Sequence, residues 1–402
     1  MSVESTTVLP PLATRRFRLL DSLGGRLRCG RLTLSLPDGS QRIFEGGQDG
    51  PSADLEIVRP RLVGRLLTGG AIGFAEAYMD GDCETRNLTA LIELAGLNEE
   101  HWDRELRGRL SYRLLQRLFH RTRPNSKRGS RRNIAYHYDL GNAFYRAWIG
   151  ESMAYSSGIF ASPHDSLAQA QQAKCRRMAQ IAGLQPDHHL LEIGCGWGGF
   201  AAYAAREIGC RVTAVTISRE QFAEACRLIQ AEGLDDKVEV VLRDYRDLDG
   251  QYDGIVSIEM LEAVGEAYWP VYFERLRERL KPGGRAALQV ITISDDAWEQ
   301  YRCSADFIQR YIFPGGMLPA PSILCRQAAQ AGLTLRDDAG FGQDYAKTLA
   351  IWHERFIAAW PRLATMGFDE RFRRMWRYYL AYCEAGFRID RIDVRQIAFS
   401  RD

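Results

Sequence analysis

The sequence predicts an α/β fold in which a doubly wound sheet is preceded by a smaller α+β domain. From about residue 182 onward, short apolar runs alternate with stretches of helical periodicity. Alternation of this kind is typical of a parallel sheet with helices on both faces. The predicted strands are 189–193, 211–215, 238–242, 252–258 and 285–291, and the predicted helices between them are 200–208, 219–232 and 268–280.

The regions on either side of this alternation have different patterns. Leu32 to Leu36 alternates before Pro37-Asp38-Gly39, which predicts a hairpin, and residues 73–82 predict a short helix closed by a turn. After the sheet we predict a helix near 321–332, aromatic-rich helices near 345–388 and a last strand at 395–400. The predicted domains are 1–118, a linker at 119–132, and 133–402.

Composition excludes several classes of protein. The 402 residues contain 46% hydrophobic and 26% charged residues, with a formal net charge of +2, as in an ordinary globular protein. No apolar run is long enough for a transmembrane helix, and the first residues lack the pattern of a secretory signal. Nine scattered cysteines without a CxxC pair argue against disulfides and a metal site. We therefore expect a cytoplasmic protein.

Residues 104–132 form a basic segment. Between His101 and Arg132, eleven Lys and Arg stand against two acids, and Leu106, Leu110, Leu114 and Leu118 form an apolar helical stripe. A solvated helix face with a flexible hinge, a dock for anionic membrane headgroups and a nucleic-acid patch would all look like this. The segment alone does not decide among them.

The strongest local signal is the glycine-rich turn in Leu190-Leu-Glu-Ile-Gly-Cys-Gly-Trp-Gly-Gly199. An apolar strand ends in the acid Glu192 and enters a turn in which Gly194 and Gly196 let the backbone approach a ligand closely. The spacing is GxGxGG rather than the GxGxxG of dinucleotide folds. It resembles the first motif of Rossmann-like S-adenosylmethionine methyltransferases.

Residues after the next two strands are expected at the same site, because ligands of such sheets lie at the carboxyl ends of the strands. Thr216 and Gln221 are placed near the ribose and methionine, and Asp244 and Tyr245 near the adenine. A nicotinamide enzyme would carry an acid at the end of the second strand, where this chain has Thr216. The pattern therefore argues against a dehydrogenase.

Several further motifs occur in one order. They are Ala135-Tyr-His-Tyr-Asp-Leu-Gly-Asn142, Met153-Ala-Tyr-Ser-Ser157, Ser257-Ile-Glu-Met-Leu-Glu-Ala-Val-Gly265, Tyr311-Ile-Phe-Pro-Gly-Gly-Met-Leu-Pro319 and Phe341-Gly-Gln-Asp-Tyr345. Over residues 133–400 the chain resembles the cyclopropane-fatty-acyl-phospholipid synthases and mycolic acid cyclopropane synthases. The resemblance implies a Rossmann-like seven-stranded class I methyltransferase domain with acyl-chain-binding insertions at 133–402. It leaves 1–118 for lipid, membrane or dimer contact.

The resemblance also implies the site residues. S-adenosylmethionine contacts would carry over to Tyr155, Ser156, Gly194, Gly196, Thr216 and Gln221. The family's active site holds a bicarbonate ion, and the matching positions here are Glu262, Gln289, Tyr345, Ser157 and Ile291. Two of these depart from the family, because Ser157 replaces a cysteine and Gln289 replaces a histidine. Gln289 would supply an amide N–H in place of a histidine donor, and Ser157 a backbone group.

The implied reaction adds a carbon from S-adenosylmethionine to the cis double bond of an acyl chain in a membrane phospholipid. Methyl transfer leaves a carbocation, which aromatic faces stabilise. Bicarbonate, oriented by Glu262 and Tyr345, then removes a proton to close a cyclopropane. If the anion does not bind, a hydride shift and loss of a different proton give a methyl- or methylene-branched chain. The departures at Ser157 and Gln289 favour keeping this alternative.

Other classes of function fit less well. A small-molecule N-methyltransferase does not explain the basic segment, and a non-catalytic lipid-binding protein does not explain the whole set of cofactor residues. A nucleic-acid methyltransferase would carry a base-flipping motif after the fourth strand, where this chain reads Ile258-Glu-Met-Leu-Glu262. We expect no nucleic-acid partner. A protein peripherally bound to the inner membrane face through 104–132 is predicted, and a homodimer is compatible with the sequence.

Overall fold

The computed structural model describes residues 11–106, 140–303 and 306–402. These residues form two compact units. The first unit contains 11–106 together with 369–385, and the second contains 140–303, 306–368 and 386–402. The basic segment at 104–132 lies almost entirely outside the described residues, as does most of the motif at 135–142. The membrane dock therefore stays a prediction.

The first unit is a small α+β domain. Its strands form a sheet of order β2-β1-β3-β4, in which β1 and β2 are the antiparallel hairpin that the sequence predicts. The segment predicted as a helix closed by a turn is the end of α2, which stops at Met79. The elements are α1 (Pro11–Gly24), β1 (Cys29–Ser35), β2 (Gln41–Glu45), β3 (Gln48–Ile57), α2 (Arg61–Met79), β4 (Cys83–Glu84) and α3 (Leu88–Leu106).

Residues 369–385, which the sequence analysis placed in the large domain, group with the first unit. Two contacts show why. The Thr89 hydroxyl donates to buried Glu384 at 3.0 Å, and the Arg374 guanidinium donates to the Tyr78 carbonyl at 3.2 Å. These pairs are almost 300 residues apart in sequence, so composition and local pattern do not reveal them.

The second unit is built on a seven-stranded sheet of order β10-β11-β9-β8-β5-β6-β7. The five strands from β9 to β7 in this order run parallel to one another. Strand β11 pairs antiparallel with β9 on one side and with β10 on the other. The predicted α/β class is thereby confirmed. The strands are β5 (His189–Ile193), β6 (Arg211–Thr216), β7 (Val238–Leu242), β8 (Tyr252–Ile258), β9 (Leu280–Ile293), β10 (Thr334–Gly340) and β11 (Ile392–Ser400).

Helices follow and precede these strands along the chain, and polar caps mark where two of them begin. Ser166 and Gln169 form a capping box at the start of α5, and the Ser218 side chain accepts from the Gln221 N–H at the start of α7. The helices are α4 (Asn142–Arg146), α5 (Leu167–Ile181), α6 (Gly199–Tyr203), α7 (Arg219–Ala231), α8 (Trp269–Arg279), α9 (Trp298–Tyr301), α10 (Pro321–Gln330), α11 (Gly342–Thr365) and α12 (Glu370–Arg388), most of which belongs to the first unit.

The core of the second unit lies on both faces of the sheet. Neighbouring Leu190 and Leu191 are fully buried and belong to different apolar clusters, because successive side chains of a strand point to opposite faces. Each such side chain contributes about 1.5–3 kcal/mol to stability when buried. This burial fixes the strands in register. It brings the residues after β5, β6, β7 and β8, together with the last residues of β9, to one edge of the sheet.

No helix within the described part of the chain is both long and apolar enough to cross a membrane.

Candidate active site

The turn between β5 and α6 makes one wall of the site. Gly194, Gly196 and Gly198 all have positive φ, at 81°, 53° and 90°. The N–H groups of Gly194 and Cys195 donate to the Val215 carbonyl at 2.9 Å, which ties the turn to β6. A side chain at Gly196 would meet open space, as expected of a cradle for a ligand.

Glu192, at the end of β5, is buried beside this turn and is 2% exposed. Burial raises the pKa of Glu192 to about 8, although the charge of Lys174 and a hydrogen bond from the Ala201 backbone oppose the shift. Its Oε2 atom has no hydrogen-bond partner among the described residues. A buried oxygen of this kind is expected to accept a hydrogen bond from a bound molecule, and the ribose hydroxyls and amino group of S-adenosylmethionine are suitable donors.

The predicted cofactor residues after β6 and β7 are already ordered by their neighbours. The Thr216 hydroxyl donates to Gln221 Oε1 at 2.9 Å, so the structure brings these two residues together. Both Asp244 oxygens accept from the Arg246 guanidinium, at 2.8 and 2.7 Å. Burial raises the pKa of the adjacent Tyr245, whose ring contacts Tyr272 at 5.6 Å between centroids.

Tyr155 and Ser156 lie on the segment before α5. The Ser156 hydroxyl accepts from the buried Lys174 ammonium at 2.8 Å, and its carbonyl accepts from Gln171 at 2.7 Å. The Tyr155 ring packs against Trp352, with centroids 5.4 Å apart. The charge of the same Lys174 acts on Glu192, which links Ser156 to the predicted cofactor residues at the turn.

The predicted bicarbonate donors surround a side chain that the sequence analysis did not single out. Glu259 Oε1 accepts from the Ser157 N–H at 2.9 Å and from Gln289 Nε2 at 2.7 Å. Glu259 Oε2 accepts from the Tyr345 hydroxyl at 2.6 Å. The Glu259 carboxylate thus takes three of the donors that the family resemblance assigns to a bound anion.

The backbone at Glu259 holds this carboxylate in place. Glu259 follows the last residue of β8 and has φ of +50°, a conformation that glycine adopts freely and other residues adopt at a cost of about 1–3 kcal/mol. Its N–H donates to the Gln289 carbonyl at 2.7 Å. Strain of this size indicates a position whose side chain is held by its surroundings.

Glu262 lies one short turn further along the chain and contacts a different group. Its Oε1 accepts from the Ile291 N–H at 2.5 Å, and its Oε2 has no hydrogen-bond partner among the described residues. Burial, together with the charge of Glu259, raises the pKa of Glu262 to about 8. Burial also raises the pKa of Glu259, against the effect of its three hydrogen bonds.

The two carboxyl groups therefore have different surroundings. A carboxylate that accepts three hydrogen bonds is stabilised in its charged form, whereas one with a single donor and a charged neighbour favours its neutral form. These contacts favour ionisation of Glu259 before Glu262. The predicted catalytic residues thus fall into two groups, with Ser157, Gln289 and Tyr345 around Glu259, and Ile291 bonded to Glu262.

The sequence analysis did not predict Glu259 as a site residue, because within the motif at 257–265 the family resemblance assigned a role to Glu262 alone. A signal was present, since Glu259 directly follows a predicted strand ending at Ile258, at the edge where ligands of such sheets bind.

Replacing Gly194 by alanine is expected to weaken S-adenosylmethionine binding roughly tenfold, equivalent to about 1.4 kcal/mol. The new Cβ would lie 2.8 Å from Met260 Cγ and would displace the wall of the site. Isothermal titration calorimetry measures the change in Kd. Gly250→Ala is the matched control, because Gly250 has nearly the same φ of 83° and open space at its Cβ. Equal changes in Kd for both variants would contradict this role of the turn.

Comparisons with known proteins identify the family of this chain. Residues 125–397 match the sequence model of the family described as mycolic acid cyclopropane synthetase. The chain is 42% identical to the tuberculostearic acid methyltransferase UfaA1 of Mycobacterium tuberculosis, covering 89% of this chain and 85% of that protein. It is 37% identical to the cyclopropane-fatty-acyl-phospholipid synthase of Escherichia coli K12, covering 87% and 88%.

Solved structures give the same fold. The cyclopropane synthase MmaA2 from Mycobacterium tuberculosis superposes with a TM-score of 0.64 at 28% identity, over 67% of this chain and 98% of that one. The mycolic acid cyclopropane synthase CmaA1, in complex with SAH and CTAB, superposes with a TM-score of 0.63 at 28% identity over the same shares. SAH is the product that S-adenosylmethionine leaves after methyl transfer. The chain therefore belongs to the mycolic acid cyclopropane synthetase family and is an S-adenosylmethionine-dependent methyltransferase.

Proposed function

We propose that the protein methylates the double bond of an unsaturated fatty acyl chain, with the Glu259 carboxylate as a built-in base in place of bicarbonate. The observation that carries the proposal is the set of three hydrogen bonds from Ser157, Gln289 and Tyr345 to Glu259. These donors are committed to a carboxylate that the chain itself supplies. The site then needs no dissolved anion.

The cofactor supplies a methyl group bound to a positively charged sulfur. The residues proposed to hold it are Tyr155, Ser156, Glu192, Gly194, Gly196, Thr216, Gln221, Asp244 and Tyr245. Two observations support this placement. Glu192 Oε2 has no hydrogen-bond partner among the described residues, and a Cβ at Gly196 would meet open space. Because both Asp244 oxygens already accept from Arg246, a contact with adenine would use a remaining lone pair.

Glu259 acts after the new carbon–carbon bond has formed. The double bond would take the methyl carbon as the carbon–sulfur bond breaks, which would release SAH and leave the adjacent chain carbon with a positive charge. A carboxylate at this place stabilises that charge and removes a proton from the new methyl group. The nearby rings of Tyr345, Phe387 and Trp352 offer faces to a cation; Tyr345 and Phe387 stack with centroids 4.6 Å apart.

The product that we propose is a methylene-branched chain. A hydride moves from the methylated carbon to its charged neighbour, and loss of a methyl proton to Glu259 then leaves a carbon–carbon double bond at the branch. The net change is the addition of CH2. The similarity to a tuberculostearic acid methyltransferase, and 35% identity to a probable fatty acid methyltransferase of Pseudomonas putida, support an open chain.

Ring closure is the second candidate. Loss of the methyl proton before the hydride moves would close a cyclopropane, again with a net gain of CH2. The similarity to the Escherichia coli cyclopropane-fatty-acyl-phospholipid synthase favours this product and a phospholipid substrate. In either case we propose that the acyl chain belongs to a membrane phospholipid, reached through the basic segment 104–132.

One assay tests both which group is the base and which product forms. The protein is incubated with S-adenosylmethionine and dioleoyl phosphatidylglycerol vesicles, in buffer freed of carbon dioxide and in buffer with added bicarbonate. We expect equal rates in both buffers and vinyl methylene proton signals in the product. A rate that depends on bicarbonate would overturn the role of Glu259. If the rate does not depend on bicarbonate but the product shows upfield cyclopropane proton signals, Glu259 remains the proposed base and the product is a cyclopropane.

A further inference from the structure

A chain of hydrogen bonds leads from the surface of the second unit to Glu259. The Arg177 guanidinium donates to Gln396 Oε1 at 3.0 Å, and Gln396 Nε2 donates to Gln289 Oε1 at 2.9 Å. Gln289 Nε2 then donates to Glu259 Oε1 at 2.7 Å. Gln289 and Gln396 are fully buried and lie directly opposite each other on β9 and β11.

The two ends of this chain fix its direction. A guanidinium has only donors, and a carboxylate has only acceptors. Gln396 must therefore turn its oxygen to Arg177 and its NH2 to Gln289. Gln289 must in turn present its own NH2 to Glu259. A reversed amide at either position would place two donors or two acceptors against each other.

The direction matters because a glutamine, unlike a histidine cation, offers an acceptor as readily as a donor. If Gln289 rotated by half a turn, its carbonyl oxygen would face the Glu259 carboxylate and repel it. Two further contacts hold Gln289 in its donor orientation, because its Nε2 also donates to the Ser157 carbonyl at 3.3 Å and its oxygen accepts from Gln396 behind it. Arg177 is held in turn by Asp337, whose Oδ1 accepts from its Nη2 at 2.7 Å.

We propose that Gln396 and Arg177 are positioning residues that keep Gln289 in its donor orientation toward the catalytic carboxylate. This inference rests on the proposed role of Glu259 as the base. We call the hydrogen-bonded chain Arg177–Gln396–Gln289 the relay. Its two outer residues are proposed to act through Gln289 and not on substrate or cofactor. They act by holding one amide in the orientation that stabilises the charged base.

The test is the pH dependence of turnover. Gln396→Met preserves volume but leaves the Gln289 oxygen without its donor, so the amide is held from one side only, by Glu259 and the Ser157 carbonyl. Loss of a hydrogen bond to the charged form raises the pKa of the base. We expect the acid limb of the kcat profile to move up by about one pH unit, so that kcat measured at a pH on this limb falls about tenfold. The S-adenosylmethionine Kd should not change.

Arg395→Met is the matched control, because Arg395 precedes Gln396 on β11 and pairs with Asp338 and Asp393 outside the relay. It should leave the acid limb in place. A second pair of variants avoids the buried position. Arg177→Lys keeps a cation that only donates hydrogen bonds and should keep the pH profile of the parent. Arg177→Gln can accept as well as donate and should shift the acid limb. An unmoved acid limb in Gln396→Met and Arg177→Gln would overturn the relay.

Failure of the relay and failure of the proposed function look different. If the acid limb belongs to Glu259, it disappears in Glu259→Gln whatever the result at Gln396. If it persists in Glu259→Gln, the base is another group and the proposed function fails first.

Discussion

Glu259→Gln is expected to lower kcat about a thousandfold, within the range that general bases contribute, and to leave the S-adenosylmethionine Kd unchanged. Glutamine has nearly the shape of glutamate but no negative charge, so it neither stabilises the cation nor removes its proton. Single-turnover assays with radiolabelled cofactor measure the first effect and calorimetry the second. Glu266→Gln, at a partly exposed glutamate paired with Arg302, is the matched control and should behave as the parent.

A glycine at the same position gives a sharper result. Glu259→Gly removes the carboxylate, accommodates the positive φ without strain, and leaves the donors of Ser157, Gln289 and Tyr345 around an empty space. We expect an inactive protein whose activity returns when bicarbonate or formate is added. Glutamine fills the space, so Glu259→Gln should not be rescued. Full activity of Glu259→Gly without an added anion would remove Glu259 from the mechanism.

Glu262→Gln is expected to change the pH dependence of stability more than any other single substitution at the site. The pKa of Glu262 is about 8 in the folded protein and near 4.5 when the chain is unfolded. For a raised pKa, the stabilising contribution is complete below pH 4.5 and is lost as the pH rises to about 8, because over this range the unfolded chain releases the proton that the folded protein still holds. Glutamine stays neutral throughout.

Above pH 8 the variant should therefore be more stable than the parent, by an amount on the order of 3 kcal/mol, and near pH 4.5 the difference should vanish. Urea unfolding of the cofactor-free protein from pH 5 to pH 9 measures this. Glu192, whose pKa is also about 8, titrates in both proteins and cancels in the comparison. Parallel stability curves for parent and variant would show that Glu262 is ionised in the folded protein.

Much of the sheet could be predicted from the sequence, because buried parallel strands are nearly continuous apolar runs. Strands β5, β7 and β8 have the predicted bounds, and β9 extends further at both ends. Strand β10 was not predicted. Its sequence, Thr-Leu-Arg-Asp-Asp-Ala-Gly, is mostly exposed at the edge of the sheet, where pairing with β11 rather than apolar burial holds it.

The site was predictable only in part. The family resemblance located Ser157, Gln289, Tyr345 and Glu262, but a resemblance gives positions and not the bonds between them. That Glu259 reaches three of these residues depends on a positive φ and on the register of β8 against β9, which pairs Ile258 with Gln289. Neither property can be read from local sequence. The relay through Gln396 depends likewise on strand pairing across more than a hundred residues.

The backbone conformation of Glu259 also bears on how such a site arises by mutation. A GGA glycine codon becomes the GAA glutamate codon through a change of one nucleotide. At a position with positive φ, which glycine adopts without strain, that change adds a carboxylate within reach of three hydrogen-bond donors. The cost in stability is modest. Under the proposed role of Glu259, dependence on a dissolved anion would then be gained or lost in a single mutational step, without any change of fold.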